Sequence, residues 1–369
     1  MYLKNLHLNQ FKNYQKAKLE FSEEINCLVG INGSGKTNLL DAIHYLCLTK
    51  SAINSQDNQN ILHDEDFFTV FGEFSMDEKN LEIRCVVEAG KKKQVIQNGK
   101  AIEKMSEHIG LLPVVMIAPD DTMLIKDGSE ERRRFFDNML CQLDKSYLEN
   151  LVRYQHFLKQ RNALMKQFSD SGRFNKGLLE PYDLEIIQLS KAVASAREGF
   201  LKNYKPLLLD HYANISGKRE DVNIQYLTSC LSDSFESEFV QNHQKDLILK
   251  RTTLGVHKDD FVFEIDGYPI KKFGSQGQQK SFVIALKLAQ FEIFHTMKGV
   301  KPVLLLDDIF DKLDDLRIEK LVNLVADHRF GQLFITDARP ERSKAILNAI
   351  DAQTNFFMVS DGVVSIWDQ

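Results

Sequence analysis

An α/β fold is what three stretches of this 369-residue sequence predict: a mixed sheet carrying a phosphate-binding loop, an antiparallel β subdomain beside it, and an inserted compact helical lobe. The first stretch is Gly30-Ile31-Asn32-Gly33-Ser34-Gly35-Lys36-Thr37, a glycine loop set between a buried apolar run and a helical pattern. The second and third are Ser275-Gln276-Gly277-Gln278-Gln279-Lys280 and Val303-Leu304-Leu305-Leu306-Asp307-Asp308, which begin about 240 residues or more later. A nucleotide site divided between the two ends of a chain requires everything between them to loop out.

Leu3, Leu6 and Leu8 open an apolar pattern that resumes at Lys18-Leu19-Glu20-Phe21, and Ile25-Asn26-Cys27-Leu28-Val29 reads as a buried strand ending at Gly30. From Thr37 to Leu48, the residues Leu39, Leu40, Ile43, Leu46 and Cys47 recur at helical spacing. Between about Phe71 and Ile102 the pattern is that of strands, with a hairpin signal at Asn98-Gly99. Past Arg132 the period is helical, through Phe136, Leu140, Leu143, Tyr147, Leu151, Tyr154 and Leu158, and it breaks near Ser169-Asp170-Ser171-Gly172. A second helix is expected from about Leu184 to Tyr204, ending at Pro206. Strands at Val222 to Leu227 and Phe261 to Ile265, the latter turning at Asp266-Gly267, lead back toward the nucleotide site. No heptad seam is sustained, so the insertion reads as a compact lobe and not as a coiled-coil arm.

Composition narrows the class. Hydrophobic residues at 43% and charged residues at 27% fit a soluble globular protein, and the length favours two lobes over one. No apolar run approaches the roughly 18 residues that span a bilayer, and Met1-Tyr2-Leu3-Lys4 opens directly into a strand pattern. The five cysteines, Cys27, Cys47, Cys85, Cys141 and Cys230, are scattered and odd in number, which suggests neither a zinc site nor disulfides; a reducing cytoplasm fits best. The net charge of -5 gives no global attraction for a polyanion, so DNA binding would require local basic patches.

The chemistry is carried by a few residues. Glycines let backbone N–H groups of the loop from Gly30 to Asn38 approach phosphates, Lys36 neutralises them, and the Thr37 hydroxyl is placed to ligate Mg²⁺. The helix that starts there adds its positive end. Asp307, ending a buried strand, is expected to hold the Mg²⁺ shell. Asp308 stands where ABC-type ATPases usually carry a glutamate that polarises the attacking water; the shorter side chain implies slow hydrolysis. Ser275, Gln276, Gly277 and Gln278 precede a helical run and form a variant of the ABC signature, which in that architecture grips the ATP bound by a second subunit. A polar loop capping a buried helix is the structural alternative for these four.

These motifs together resemble the RecF family, bacterial DNA gap-repair proteins of the ABC/SMC-like ATPase group. The resemblance is carried by Asn9-Gln10-Phe11-Lys12-Asn13-Tyr14; the loop with Thr37-Asn38-Leu39-Leu40-Asp41-Ala42-Ile43; Pro119-Asp120-Asp121 through Gly128 to Arg132-Arg133-Arg134-Phe135-Phe136-Asp137; Gly255-Val256-His257-Lys258-Asp259-Asp260; and the signature with Leu306-Asp307-Asp308. It implies an ABC-type ATPase head at 1–130 and 251–369, with 131–250 as the inserted mainly helical lobe. It also implies ATP and Mg²⁺ as cofactors, an ATP-dependent homodimer, DNA at single-strand gap junctions, and RecO and RecR as partners in loading RecA. The sequence departs from the family pattern at Ser129, Val256, Lys258 and Asp311-Lys312 before Leu313-Asp314, and Thr336-Asp337 lacks the histidine of ABC transporters.

Two basic stretches are candidates for DNA contact: Lys91-Lys92-Lys93 with Lys100 and Lys104, and Arg132-Arg133-Arg134. The arginines follow Glu130-Glu131, so a paired helix face competes with a DNA role, and His257 reads as structural. Other functions fit less well. A transporter ATPase subunit usually keeps its motifs closer together, an SMC-like structural head needs heptads, and an ATP-driven nuclease needs a further metal cluster.

Overall fold

The structure, a computed structural model, describes residues 1–76, 79–217, 219–308, 330–349 and 351–367. Asp311, Lys312, Leu313 and Asp314 lie outside the described residues. Two compact units divide the chain: Met1–Asp121 with Gln290–Gln369, and Thr122–Ala289.

The first unit holds a mixed sheet whose spatial order is Val363–Ile366, Thr354–Ser360, Ile25–Val29, Leu333–Asp337, Val303–Leu306 and Val114–Ile117. All neighbours pair in parallel except Val363–Ile366, which returns antiparallel. The four strands from Ile25–Val29 to Val114–Ile117 are buried at every position. That burial on both faces is why they read as apolar runs and not as alternation.

A second sheet in this unit is antiparallel, in the order Tyr14–Glu20, Tyr2–Phe11, Phe67–Met76, Lys79–Glu88, Gln94–Gln97 and Lys100–Ala101. In Lys79–Glu88, Leu81, Ile83, Cys85 and Val87 are buried while Glu82 and Arg84 face outward, the alternation of a sheet with one wet face. Its Asn98-Gly99 turn has φ of 47° and 78°, positive at both residues as a tight hairpin demands. The helix Lys36–Leu48 packs into one core with both sheets, its Leu39, Ile43 and Leu46 clustering with Leu6, Phe68, Leu305 and Phe334. Gly72 permits this seating, since a Cβ there would lie 2.5 Å from Leu46 Cδ1.

The second unit is mainly helical, with Ser129–Leu143, Lys145–Ser171 and Lys176–Ser216 as its long elements. Asp144 caps the middle helix by accepting from the Ser146 and Tyr147 N–H groups, and Gly172 ends it in a left-handed conformation, at the break the sequence shows. The third helix is longer than expected: it continues through Pro181 and Pro206 for 41 residues. An interior proline costs about 3 kcal/mol. Leu201, Tyr204, Leu208 and Tyr212 are buried around Pro206, and at about 1.5–3 kcal/mol for each large apolar side chain that burial carries the helix past it.

A three-stranded antiparallel sheet of Val222–Leu227, Asp260–Ile265 and Tyr268–Pro269 completes this unit. Pairing of Phe263 with Ile224 draws the stretch 251–289 into the unit, although its motifs belong by resemblance to the ATPase head. The helix Gln276–Lys298 then carries the chain onward. None of the five cysteines is joined in a disulfide, and among the described residues no cluster of His, Cys, Asp and Glu could hold a metal. No described helix is long and apolar enough to cross a membrane.

Candidate nucleotide site

Within the first unit a cavity of about 280 Å³ opens at the carboxyl ends of the parallel strands, where open α/β sheets bind ligands. Asn32, Gly33, Gly35, Lys36, Thr37, Asn38, Pro119, Asp307, Asp308 and Thr336 line it. Gly35 has φ of 112°, and a Cβ on it would lie 2.4 Å from Asn13 Nδ2 and 2.8 Å from the Tyr14 hydroxyl oxygen. Only glycine satisfies both conditions.

Those two neighbours brace the loop. The Tyr14 hydroxyl donates to the Gly35 carbonyl at 2.9 Å, Asn13 Nδ2 donates to the Ser34 carbonyl at 3.2 Å, and Asn38 Nδ2 donates to Asn13 Oδ1 at 2.7 Å. Lys12 Nζ lies 2.6 Å from the Asp41 carboxylate, and both side chains are buried. The segment from Asn9 to Tyr14, known from the sequence only as part of a resemblance, is thus bound to the loop and its helix.

Lys36 folds back so that Nζ donates to the Gly30 carbonyl at 2.8 Å and the Ile31 carbonyl at 2.9 Å. Burial lowers its pKa, and the carboxylates of Asp308, Asp307 and Asp337 oppose that shift. A phosphate would offer this ammonium a charge-assisted acceptor stronger than either carbonyl.

Thr37 Oγ1 donates toward both Asp307 oxygens, at 2.9 and 3.0 Å, and Thr336 Oγ1 donates to Asp307 Oδ1 at 2.8 Å. Burial pushes the Asp307 carboxyl above its usual range, against the Thr336 and Thr37 hydroxyls and the Lys36 charge. A hydroxyl and a carboxylate in contact form a pair of hard oxygen donors, the set that suits Mg²⁺. Asp308 sits beside them with φ of 46°, and its N–H donates to Thr336 Oγ1 at 2.8 Å.

Eight of the residues expected from sequence, from Asn32 to Asp308, therefore meet in one cavity. Gly30, Ile31 and Ser34 belong to the loop outside the lining, and the first two supply the carbonyls that hold Lys36. Ser275, Gln276, Gly277 and Gln278 lie in the second unit and are not among the lining residues. There Ser275 N–H donates to Gln278 Oε1 at 2.6 Å while Gln278 N–H donates to Ser275 Oγ at 3.2 Å, a reciprocal cap on the helix Gln276–Lys298. Ser275 and Gln276 are exposed. Pro119 was not expected as a site residue, and Thr336 was noted in the sequence only as part of the pair that lacks the histidine of ABC transporters; each follows a short apolar run, and the rule that ligands bind beyond the carboxyl ends of parallel strands is the signal that finds them.

Some members of each basic stretch are paired within their own unit, while Lys92, Lys100 and Lys104 are exposed. Lys93 Nζ binds Asp57 at 2.8 Å and the Thr49 carbonyl at 2.5 Å, and Lys91 pairs with Glu88 at 2.7 Å. Arg132 grips Asp260 with two nitrogens at 2.8 and 2.9 Å, Arg133 binds the Asp259 carbonyl at 2.6 Å, and Arg134 pairs with Glu131 at 3.1 Å. His257 accepts from the Tyr154 hydroxyl at 2.5 Å and donates to the Thr252 carbonyl at 3.1 Å, the structural role its surroundings suggested.

Residues 2–365 match the family model of the RecF/RecN/SMC N-terminal domain. The chain is 48% identical to DNA replication and repair protein RecF of Cytophaga hutchinsonii, covering 99% of this chain and 96% of that protein. It is 46% identical to the protein of the same name from Flavobacterium johnsoniae, covering 95% and 97%. The solved structure of the recombination mediator protein RecF-ATP in the RecFOR pathway superposes with a TM-score of 0.88 at 30% identity, covering 99% of both chains.

Proposed function

The chain belongs to the RecF family of DNA replication and repair proteins, within the ABC/SMC-like ATPase group, and on that premise we propose that it is a slow, Mg²⁺-dependent ATPase whose ATP-bound form closes into a homodimer on DNA. The observation that carries the reading is the cavity in which Lys36, Thr37 and Asp307 converge on one place. With ATP bound, the loop amides from Gly30 to Asn38 hold its phosphates, and Lys36 exchanges its two carbonyl partners for phosphate oxygens. Thr37 and Asp307 would hold Mg²⁺, which would supply neutralisation of the charge on the phosphates.

Asp308 orients the attacking water and takes up its proton; being one methylene shorter than glutamate, it does so inefficiently, and turnover is slow. The exposed, capped serine of the signature, with Gln276, Gly277 and Gln278, is the surface that a second protomer's ATP meets. In function the head comprises 1–130 and 251–369, and 131–250 is the helical lobe. Hydrolysis opens the dimer, so that ATP times residence on DNA at single-strand gap junctions, where RecR with RecO then acts to load RecA in the cytoplasm.

Ser275→Arg tests the composite site: light scattering with ATP should show monomers, while fluorescent-ATP binding to the monomer stays within about twofold of wild type. Normal ATP-dependent dimerisation of this variant would sink the shared-site model.

A further inference from the structure

Thr336 lies outside the glycine loop, the Asp pair and the signature, yet its hydroxyl joins both members of the Asp pair. Leu306 pairs with Ile335 in the parallel sheet, so the next residues along, Asp307 and Thr336, face each other across neighbouring strands. Thr336 is fully buried. A carboxylate only accepts and an amide N–H only donates, so the single hydroxyl proton goes to Asp307 Oδ1 and the oxygen receives the Asp308 N–H, each at 2.8 Å. The residue so pinned is Asp308, whose φ of 46° lies in the left-handed region that most side chains avoid.

We infer that Thr336 is a positioning residue for the ATPase, orienting the Asp307 carboxylate toward Thr37 and locking the left-handed backbone that aims Asp308. Resting on the ATPase reading above, this places at the end of the strand Leu333–Asp337 a hydroxyl that serves both carboxylates. The chain of contacts runs from Thr37 Oγ1 to Asp307, to Thr336 Oγ1, to the Asp308 amide. Loss of the hydroxyl alone therefore disturbs metal binding and water activation together, while the loop that holds the phosphates keeps its own braces at Asn13 and Tyr14.

Thr336→Val keeps the shape and removes the hydroxyl; Thr336→Ser keeps the hydroxyl. In the full chain, the valine variant should bind ATP in EDTA within about twofold of wild type, raise the half-saturating Mg²⁺ concentration about tenfold and lower turnover about tenfold or more. The serine variant should restore both to within about threefold of wild type. Hydrogen exchange at the Asp308 amide is an arm independent of turnover, with about tenfold faster exchange expected in the valine variant only. Unchanged Mg²⁺ dependence and exchange in Thr336→Val, or a serine variant as impaired as valine, would overturn the inference. A wild-type protein that hydrolyses no ATP counts against the ATPase itself, and the exchange arm alone then decides for or against the role of Thr336.

Discussion

Two Asp-Asp pairs, Asp259-Asp260 in the second unit and Asp307-Asp308 in the first, carry the same chemistry into different surroundings. Buried Arg197 lies 3.2 Å from Asp259 and spans Asp137 with contacts at 3.0 and 2.9 Å, Tyr226 donates to Asp259, and Arg132 grips Asp260. At Asp307 the carboxylate accepts from two hydroxyls, Thr37 and Thr336, and borders a cavity. Burial raises both the Asp259 and the Asp307 carboxyl above the usual range. A carboxylate answered by guanidinium is finished; one answered by hydroxyls at a cavity wall retains lone pairs for an incoming cation. Identical dipeptides are thus a brace in one unit and, on the function proposed above, a binding group in the other.

The largest effect that would break this contrast belongs to Arg197. Arg197→Leu leaves Asp137 and Asp259 without their shared cation and should cost about 3–5 kcal/mol in urea unfolding. A wild-type midpoint would mean that the network contributes nothing.

His257 sharpens the same comparison through pH. Burial lowers its pKa from 6.5 to about 4; the Thr252 carbonyl opposes the shift and the nearby Lys258 and Arg133 charges add to it. Between those values the unfolded chain binds the extra proton, so this group's contribution is fully present above pH 6.5 and is lost as pH falls toward 4. The loss should be on the order of 3 kcal/mol, and His257→Gln should flatten that part of the stability–pH profile.

In the first unit the effects appear in binding and not in folding. Lys36→Met should weaken ATP by about 1.5–3 kcal/mol, the worth of a hydrogen bond to a charged group, as read by isothermal titration. Equal affinity in the variant would remove Lys36 from the site. The smallest stability change is expected for Asp307→Asn, within about 1 kcal/mol, because Lys36, the cation beside it, keeps its two carbonyl partners and the charges of Asp308 and Asp337. The same variant should lose the Mg²⁺ dependence of nucleotide binding, and a destabilisation matching that of Arg197→Leu would erase the distinction between the two pairs.

The glycine loop was legible because its chemistry is local: Gly35, Lys36 and Thr37 are adjacent in the chain, and so are the amides they present. The strands around it announced themselves as apolar runs for the same reason that they are buried on both faces. The third long helix was read too short, since proline is a local stop signal and the burial that overrides it comes from distant residues. The arginine run was ambiguous until its partners were in view, because Asp260 stands 128 positions from Arg132.

Adjacent residues and periodic patterns therefore determined, from the sequence alone, the glycine loop and the buried strand that leads into Asp307, while the family was legible as a resemblance carried by the motifs together. Only the tertiary structure decided which carboxylates are answered by arginine, that Asn13 and Tyr14 brace Gly35, and that Thr336 stands between Asp307 and Asp308. The reason is physical: a hydrogen bond or an ion pair depends on distances of about 3 Å, and strand pairing, not position along the chain, sets which distant residues come that close.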